Sequence, residues 1–147
     1  KKIKCICSDW QIQNYQKKIS GAILDRFDIF LDLENIKFND FYKENKHNEY
    51  EELILKINTA YQIQQNRFKD DNLIQRNRDM QLKDIKKYCN FTSSAYNILK
   101  QAQQKLNLSN RAYLNTIKLA QTIADLEKSS KIKEAYLAEA IQYRTKE

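Results

Sequence analysis

The chain has 147 residues, enough for one domain or one domain with part of another. A mean hydropathy of −0.80 with 31% charged residues excludes an integral membrane protein, since no apolar run approaches the roughly 20 residues of a spanning helix. A 41% apolar share with nine Tyr and six Phe excludes general disorder, and the net charge of +7 permits a polyanionic partner without demanding one.

The first residues, Lys1 to Cys7, are too short and too basic for the apolar stretch of a secretory leader. Cys5 and Cys7 form C-x-C, and Cys89 stands far away. An odd cysteine count in this pattern argues against a secreted disulfide framework, so a reduced, cytoplasmic chain is expected. C-x-C alone supplies half of a closed zinc site, which wants four ligands.

Ser8-Asp9-Trp10-Gln11 reads as a capping box that opens a helix carrying Ile12, Tyr15 and Ile19. Ser20-Gly21 is expected to end that helix, with Gly21, the single glycine, supplying a positive φ. Ala22 to Arg26 reads as one helical turn. Phe27 to Leu33 (FDIFLDL) then alternates, with Phe27, Ile29, Leu31 and Leu33 on one face, and predicts a strand. A lone strand is unstable, so this one needs a sheet or another chain beside it.

Asn35 to Asn48 reads as a polar linker holding His47, the one histidine. The rest is helical. Glu49 to Phe68 carries an expected inward stripe of Leu53, Ile57, Ala60, Tyr61 and Phe68. Asp70 to Met80 reads as a polar connection, and Leu82 to Cys89 as a short helix with Leu82, Ile85 and Cys89 on one side. Thr92 caps a helix to about Lys105, and Ser109 caps another to about Glu127. The last helix runs from about Lys133 to Arg144, with Tyr136, Leu137, Ala140 and Ile141 inward.

Two arginines stand out. Arg26 sits between Asp25 and Asp28, ahead of the expected strand. It either pairs with one of those acids or is held at a domain edge, where a permanent, planar cation reaches a phosphate on a neighbouring subunit. Arg111 follows the Ser109 cap by two residues. A cation there opposes the helix dipole by a few tenths of a kcal/mol. It is either a tolerated surface residue or one half of an anion site shared with the helix N-terminus. No Ser/His/Asp set, zinc-protease motif or Gly-rich phosphate loop is present, so the chain alone carries no catalytic centre.

The stretches CICSDWQIQNYQKKISGAILDRFDIFLDL and LNLSNRAYLNTIKLAQTIADLEKSSKIKEAYLAEAIQYR resemble the C-terminal part of the magnesium-chelatase-like AAA+ ATPases of bacteria, the ComM (YifB) competence type. The likeness is strongest over 5–33 and 106–144. It implies a mainly α fold: a helical-bundle lid over 49–147, a linker over 37–48, and over 1–36 a short α/β remnant made of the last helix and strand of the nucleotide-binding sheet. It implies that Arg26 is an arginine finger acting in trans, that Arg111 is the sensor 2 arginine, and that Gly21 positions the turn before Arg26. Family members usually carry proline after that glycine, where this chain has Ala22. Cys5 and Cys7 match the second half of a cysteine-rich insertion. The nucleotide-binding motifs are expected upstream, with ATP and magnesium as cofactors of the full-length parent and none for this stretch alone. The parent is expected to form a homo-oligomeric hexamer acting on DNA, with no membrane partner. The rival reading is a stand-alone basic helical module that binds nucleic acid or protein, since residues 37–147 carry 20 basic and 14 acidic side chains.

Overall fold

In the computed structural model, which describes residues 6–33, 47–106 and 108–144, the described chain is helical. The order is α1 (Asp9–Gln16), α2 (Gly21–Leu24), α3 (His47–Phe68), a 3-10 turn (Asn77–Asp79), α4 (Leu82–Tyr88), α5 (Ser93–Lys105), α6 (Asn110–Leu126) and α7 (Glu134–Gln142). No described helix is long and apolar enough to cross a membrane.

Local chemistry sets the helix starts. The Ser8 amide donates to Gln11 Oε1 at 2.8 Å and the Gln11 amide donates to Ser8 Oγ at 3.4 Å, completing the expected capping box. Thr92 and Ser109 accept from the amides of Ala95 and Ala112 at 3.3 and 3.1 Å, so both predicted caps hold. Helix α6 ends in a left-handed residue, Lys128 at φ 53°. The amides of Lys128 and Ser129 donate to the carbonyls of Asp125 and Ala124 at 3.0 and 2.8 Å, the double closure of a Schellman turn.

The core lies between α5, α6 and α7, with α3 and the 3-10 turn against the outer side of α6. Ile117, Leu137, Ile132 and Met80 are fully buried, each contributing about 1.5–3 kcal/mol through removal from water. Ala95, Ala120, Ala124 and Ala140 are buried with them and let the helices approach closely. A parallel bridge joins Phe91 to Ile132, with the Ile132 amide donating to Asn90 O at 2.7 Å and the Thr92 amide to Ile132 O at 3.1 Å. It ties the α4–α5 connection to the α6–α7 connection.

Five expectations change. Ile85 and Cys89 are buried on α4 and its end, while Leu82, expected beside them, is exposed. The α/β remnant is absent as a sheet: among the described residues there is no strand, and Phe27–Leu33 is irregular. Its polar groups go to helices instead of a ladder, for the Phe30 amide donates to Tyr143 O at 2.8 Å and Asp28 accepts from Asn115 at 2.7 Å. With no partner strand beside it, the segment leaves Phe27, Leu31 and Leu33 exposed. Gly21 does not take a positive φ; it is the first residue of α2, and a Cβ there would meet nothing within 4 Å. The inward stripe of α3 is displaced: Ala60, Gln64 and Phe68 are buried, while Leu53 and Ile57 are exposed because the first three turns extend past the bundle, and Tyr61 is exposed on the outer face of the helix. The polar connection after α3 contributes to the core through Ile74, Asn77 and Met80. The linker over 37–48 lies mostly outside the described residues, and α3 begins at His47.

Candidate functional site: a cationic cleft on helix α6

Helix α6 has two faces. One buries Ala112, Thr116, Ile117, Ala120, Ile123 and Ala124. The other carries Arg111, Asn115, Lys118 and Thr122, spaced by three or four residues so that they form one row. That row, with Arg78 of the 3-10 turn and Asp28 of the N-terminal segment, lines a cleft of about 410 Å³. The cleft therefore holds three cations and one carboxylate.

A buried network sets the position of Arg78. Asp125, 0% exposed, accepts from Arg67 at two nitrogens, from Asn77 Nδ2 at 2.8 Å and from Gln121 Nε2 at 3.1 Å. Asn77 also donates to Thr122 Oγ1 at 3.1 Å and accepts from Arg67 at 2.9 Å, and its backbone amide donates to Gln64 Oε1 at 3.1 Å. These bonds join α3, the 3-10 turn and α6 at the residue before Arg78. Lys118 adds a further tie, its ammonium donating to Arg78 O at 2.7 Å. Burial pulls the Lys118 ammonium below its ordinary pKa; Arg111 adds to the fall, while Asp28 and Asp79 oppose it.

Arg111 is exposed in the first turn of α6. A cation in the first turn, next to the positive end of the helix dipole, is favoured by a nearby anion. Asp28 occupies one wall, held by Asn115 at 2.7 Å.

Arg26 lies in the turn after α2, exposed. Neither flanking acid pairs with it. Asp25 stands 4.0 Å from Arg144, and Asp28 is taken by Asn115. Among the described residues the Arg26 side chain has no hydrogen bond or ion pair, so the reading in which it pairs locally is set aside. Arg26 is two residues from the cleft wall that Asp28 forms.

Cys5 lies outside the described residues. Cys7 is exposed and free, and among the described residues no group of three or more His, Cys, Asp or Glu side chains could hold a metal. Sequence reasoning missed Arg78, Asn115, Lys118 and Arg144. Lys118 and Asn115 had a signal, the helical row that starts at Arg111. Arg78 had none, being brought to α6 by bonds spanning 45 or more residues.

Residues 48–144 match the family described as magnesium chelatase, subunit ChlI C-terminal, and residues 1–41 match magnesium chelatase, subunit ChlI. The chain is 31% identical over 141 residues to the competence protein ComM of Haemophilus influenzae, which covers 93% of this chain and 26% of that protein. It is 30% identical over 139 residues to the uncharacterized protein YifB of Salmonella typhimurium, covering 94% of this chain and 26% of the relative. YifB of Escherichia coli is 30% identical over 138 residues, with the same two shares. The chain thus spans about a quarter of the length of the curated relatives it matches.

Proposed function

The chain belongs to the magnesium chelatase subunit ChlI C-terminal family, and from that premise we propose that it is the lid-bearing part of a ComM-type AAA+ ATPase. Arg26 is its arginine finger, reaching the nucleotide of an adjacent subunit. Arg111 is the sensor that reads the phosphates from the lid. In this reading 1–36 completes the nucleotide-binding core, 37–48 is a linker and 49–147 forms the lid.

The observation that carries this reading is the freedom of Arg26. It is a permanent cation on an exposed turn, with both adjacent acids engaged elsewhere. Such a group is available to the charge that develops on a transferred phosphoryl. The cleft residues fit the phosphate side of a nucleotide, since Arg111, Arg78 and Lys118 outnumber the nearest acids, Asp28 in the lining and Asp79, which stands 3.4 Å from Arg78 Nε. Bound ATP supplies the γ-phosphoryl to be transferred. Magnesium ligands are expected in the rest of the protein, where the phosphate-binding loop would also lie. The parent acts as a homo-oligomeric ring, a hexamer, because a finger in trans needs a neighbour. DNA as its substrate belongs to this proposal through the resemblance of the sequence to the ComM-type ATPases.

The test is turnover in the full protein. Arg26→Ala should lower kcat by about 10³-fold or more, the usual share of an arginine finger, and leave nucleotide affinity unchanged. Turnover at the wild-type rate would refute the assignment. A second reading, a basic helical module that binds nucleic acid without catalysis, is favoured by the net charge of +7. It requires that this chain alone bind DNA with a steep salt dependence.

A further inference from the structure

We propose that Arg144 is a positioning residue for Arg26, and that it couples the arginine finger to the lid; this rests on Arg26 acting as proposed above. Arg144 follows the end of α7, its side chain only 5% exposed. Its guanidinium brackets Arg26 along the chain. One terminal nitrogen donates to the carbonyl of Phe27, and the other lies 4.0 Å from Asp25 Oδ1. Two further bonds extend the clamp. The Phe30 amide donates to Tyr143 O at 2.8 Å, and Asp28 accepts from Asn115 of α6 at 2.7 Å. Residues 25, 27, 28 and 30 are therefore held by α6 and α7, while the Arg26 side chain between them is left free.

The clamp does two things that the segment cannot do for itself. Helix α2 is four residues long and buries no side chain, so it cannot fix the direction of the turn that follows. Transition-state cations work by being placed in advance, and an error of about 1 Å can cost 10²-fold. The second effect is electrostatic. Arg144 occupies Asp25, the acid next to Arg26, and so prevents it from capturing the finger. Because Asn115 shares α6 with Arg111, a swing of α6 and α7 carries Arg26 with the sensor. The fork geometry matters: a lysine at this position has one nitrogen and cannot reach both Phe27 O and Asp25.

Two measurements test this. The first is hydrogen exchange of the Phe27–Leu33 segment in this chain, wild type against Arg144→Ala. The Phe30 amide should exchange at least about tenfold faster in the variant while the amides of α6 keep their protection. The second is steady-state ATP turnover of the full protein. Arg144→Ala should lower kcat about 10- to 100-fold with KM for ATP within about twofold, and Arg144→Lys should recover part of the loss. If Arg144→Ala disturbs α7 itself, Asp28→Ala releases the same segment from the α6 side and should speed exchange of the Phe30 amide in the same way. Unchanged exchange at Phe30 overturns the clamp. A wild-type kcat in Arg144→Ala, alongside a lost kcat in Arg26→Ala, overturns the positioning role and leaves the finger assignment standing. Wild-type turnover in Arg26→Ala removes both, the function reading first.

Discussion

Asp125→Asn tests the packing argument most directly, because it alters one atom type in a fully enclosed site. The native carboxylate is 0% exposed and accepts from Arg67, Asn77 and Gln121. Asparagine keeps the shape but replaces one acceptor with a donor facing donors, and it removes the charge that balances Arg67. Breaking a buried pair from one side costs about 3–5 kcal/mol. The lower end applies here. Arg67 keeps Asn77 Oδ1 at 2.9 Å, and its side chain is 15% exposed, so the stranded cation retains one bond and some water. A loss of about 3 kcal/mol, with a urea m-value of about 1.5 kcal/mol per molar, moves the unfolding midpoint by about 2 M. That is a large part of the 5–15 kcal/mol typical of a domain. Urea titration followed by circular dichroism reads it, with Asp9→Asn on exposed α1 as the control expected within about 0.5 kcal/mol. A midpoint shift under about 0.5 M would refute the claim that this network holds the 3-10 turn, and Arg78 with it, against α6.

Three other outcomes are expected. The Asp71 carboxyl is held below its ordinary value of 3.8, first by the Leu73 amide and then by the Tyr88 hydroxyl. A depressed carboxylate stabilises above its unfolded pKa and loses that effect as pH falls through the folded one; the melting-temperature gap between wild type and Asp71→Asn should close as pH drops from 5 to below 3.8, and a gap that stays constant contradicts this. Burial pushes the Cys89 thiol up to about 12, so iodoacetamide should modify exposed Cys7 in the native chain and reach Cys89 only on unfolding; peptide mass spectrometry distinguishes the two. Lys128 holds φ 53° at the end of α6, a conformation that glycine takes freely; Lys128→Gly should stabilise by about 0.5–1 kcal/mol, and a drop in melting temperature would count against the Schellman reading.

Helix caps whose partner lies three residues on were legible in the sequence, although Gly21 opens α2 where a positive φ was expected. Ser8, Thr92 and Ser109 cap the helices they were expected to cap, because a hydroxyl and an amide three residues on need no tertiary partner. Helices α4 to α7 followed from apolar spacing for the same reason. Periodicity shows that a face seeks a partner but not where the partner is. Leu53 and Ile57 have helical spacing, yet the bundle begins one turn later, at Ala60. The alternation of Phe27–Leu33 is a strand pattern, yet among the described residues no strand neighbours it and the Phe30 amide bonds to Tyr143 O. The finger and sensor candidates came from resemblance and from charge in unusual places, whereas the residues that set their positions did not. Asn77, Arg78 and Arg144 act over separations of 40 to more than 100 residues, and nothing local marks them.

The cleft also separates the two functional readings in a way that the overall charge does not. A nucleotide phosphate needs only a few convergent cations, and Arg111, Arg78 and Lys118 supply them around about 410 Å³. A duplex needs a row of cations along its backbone, and each phosphate neutralised adds about 0.9 to the slope of log K against log salt. Binding through these three cations alone would give a slope of about −2.7. If this chain binds duplex DNA with a slope of −5 or steeper, cations beyond the cleft carry the contact and the nucleic-acid module becomes the better reading. If inorganic triphosphate binds this chain, and any DNA binding has a shallow slope that triphosphate abolishes, the cleft is a phosphate site. The charge elsewhere is then solvated surface. Arg111→Ala should weaken triphosphate binding in the second case and barely alter a steep DNA slope in the first.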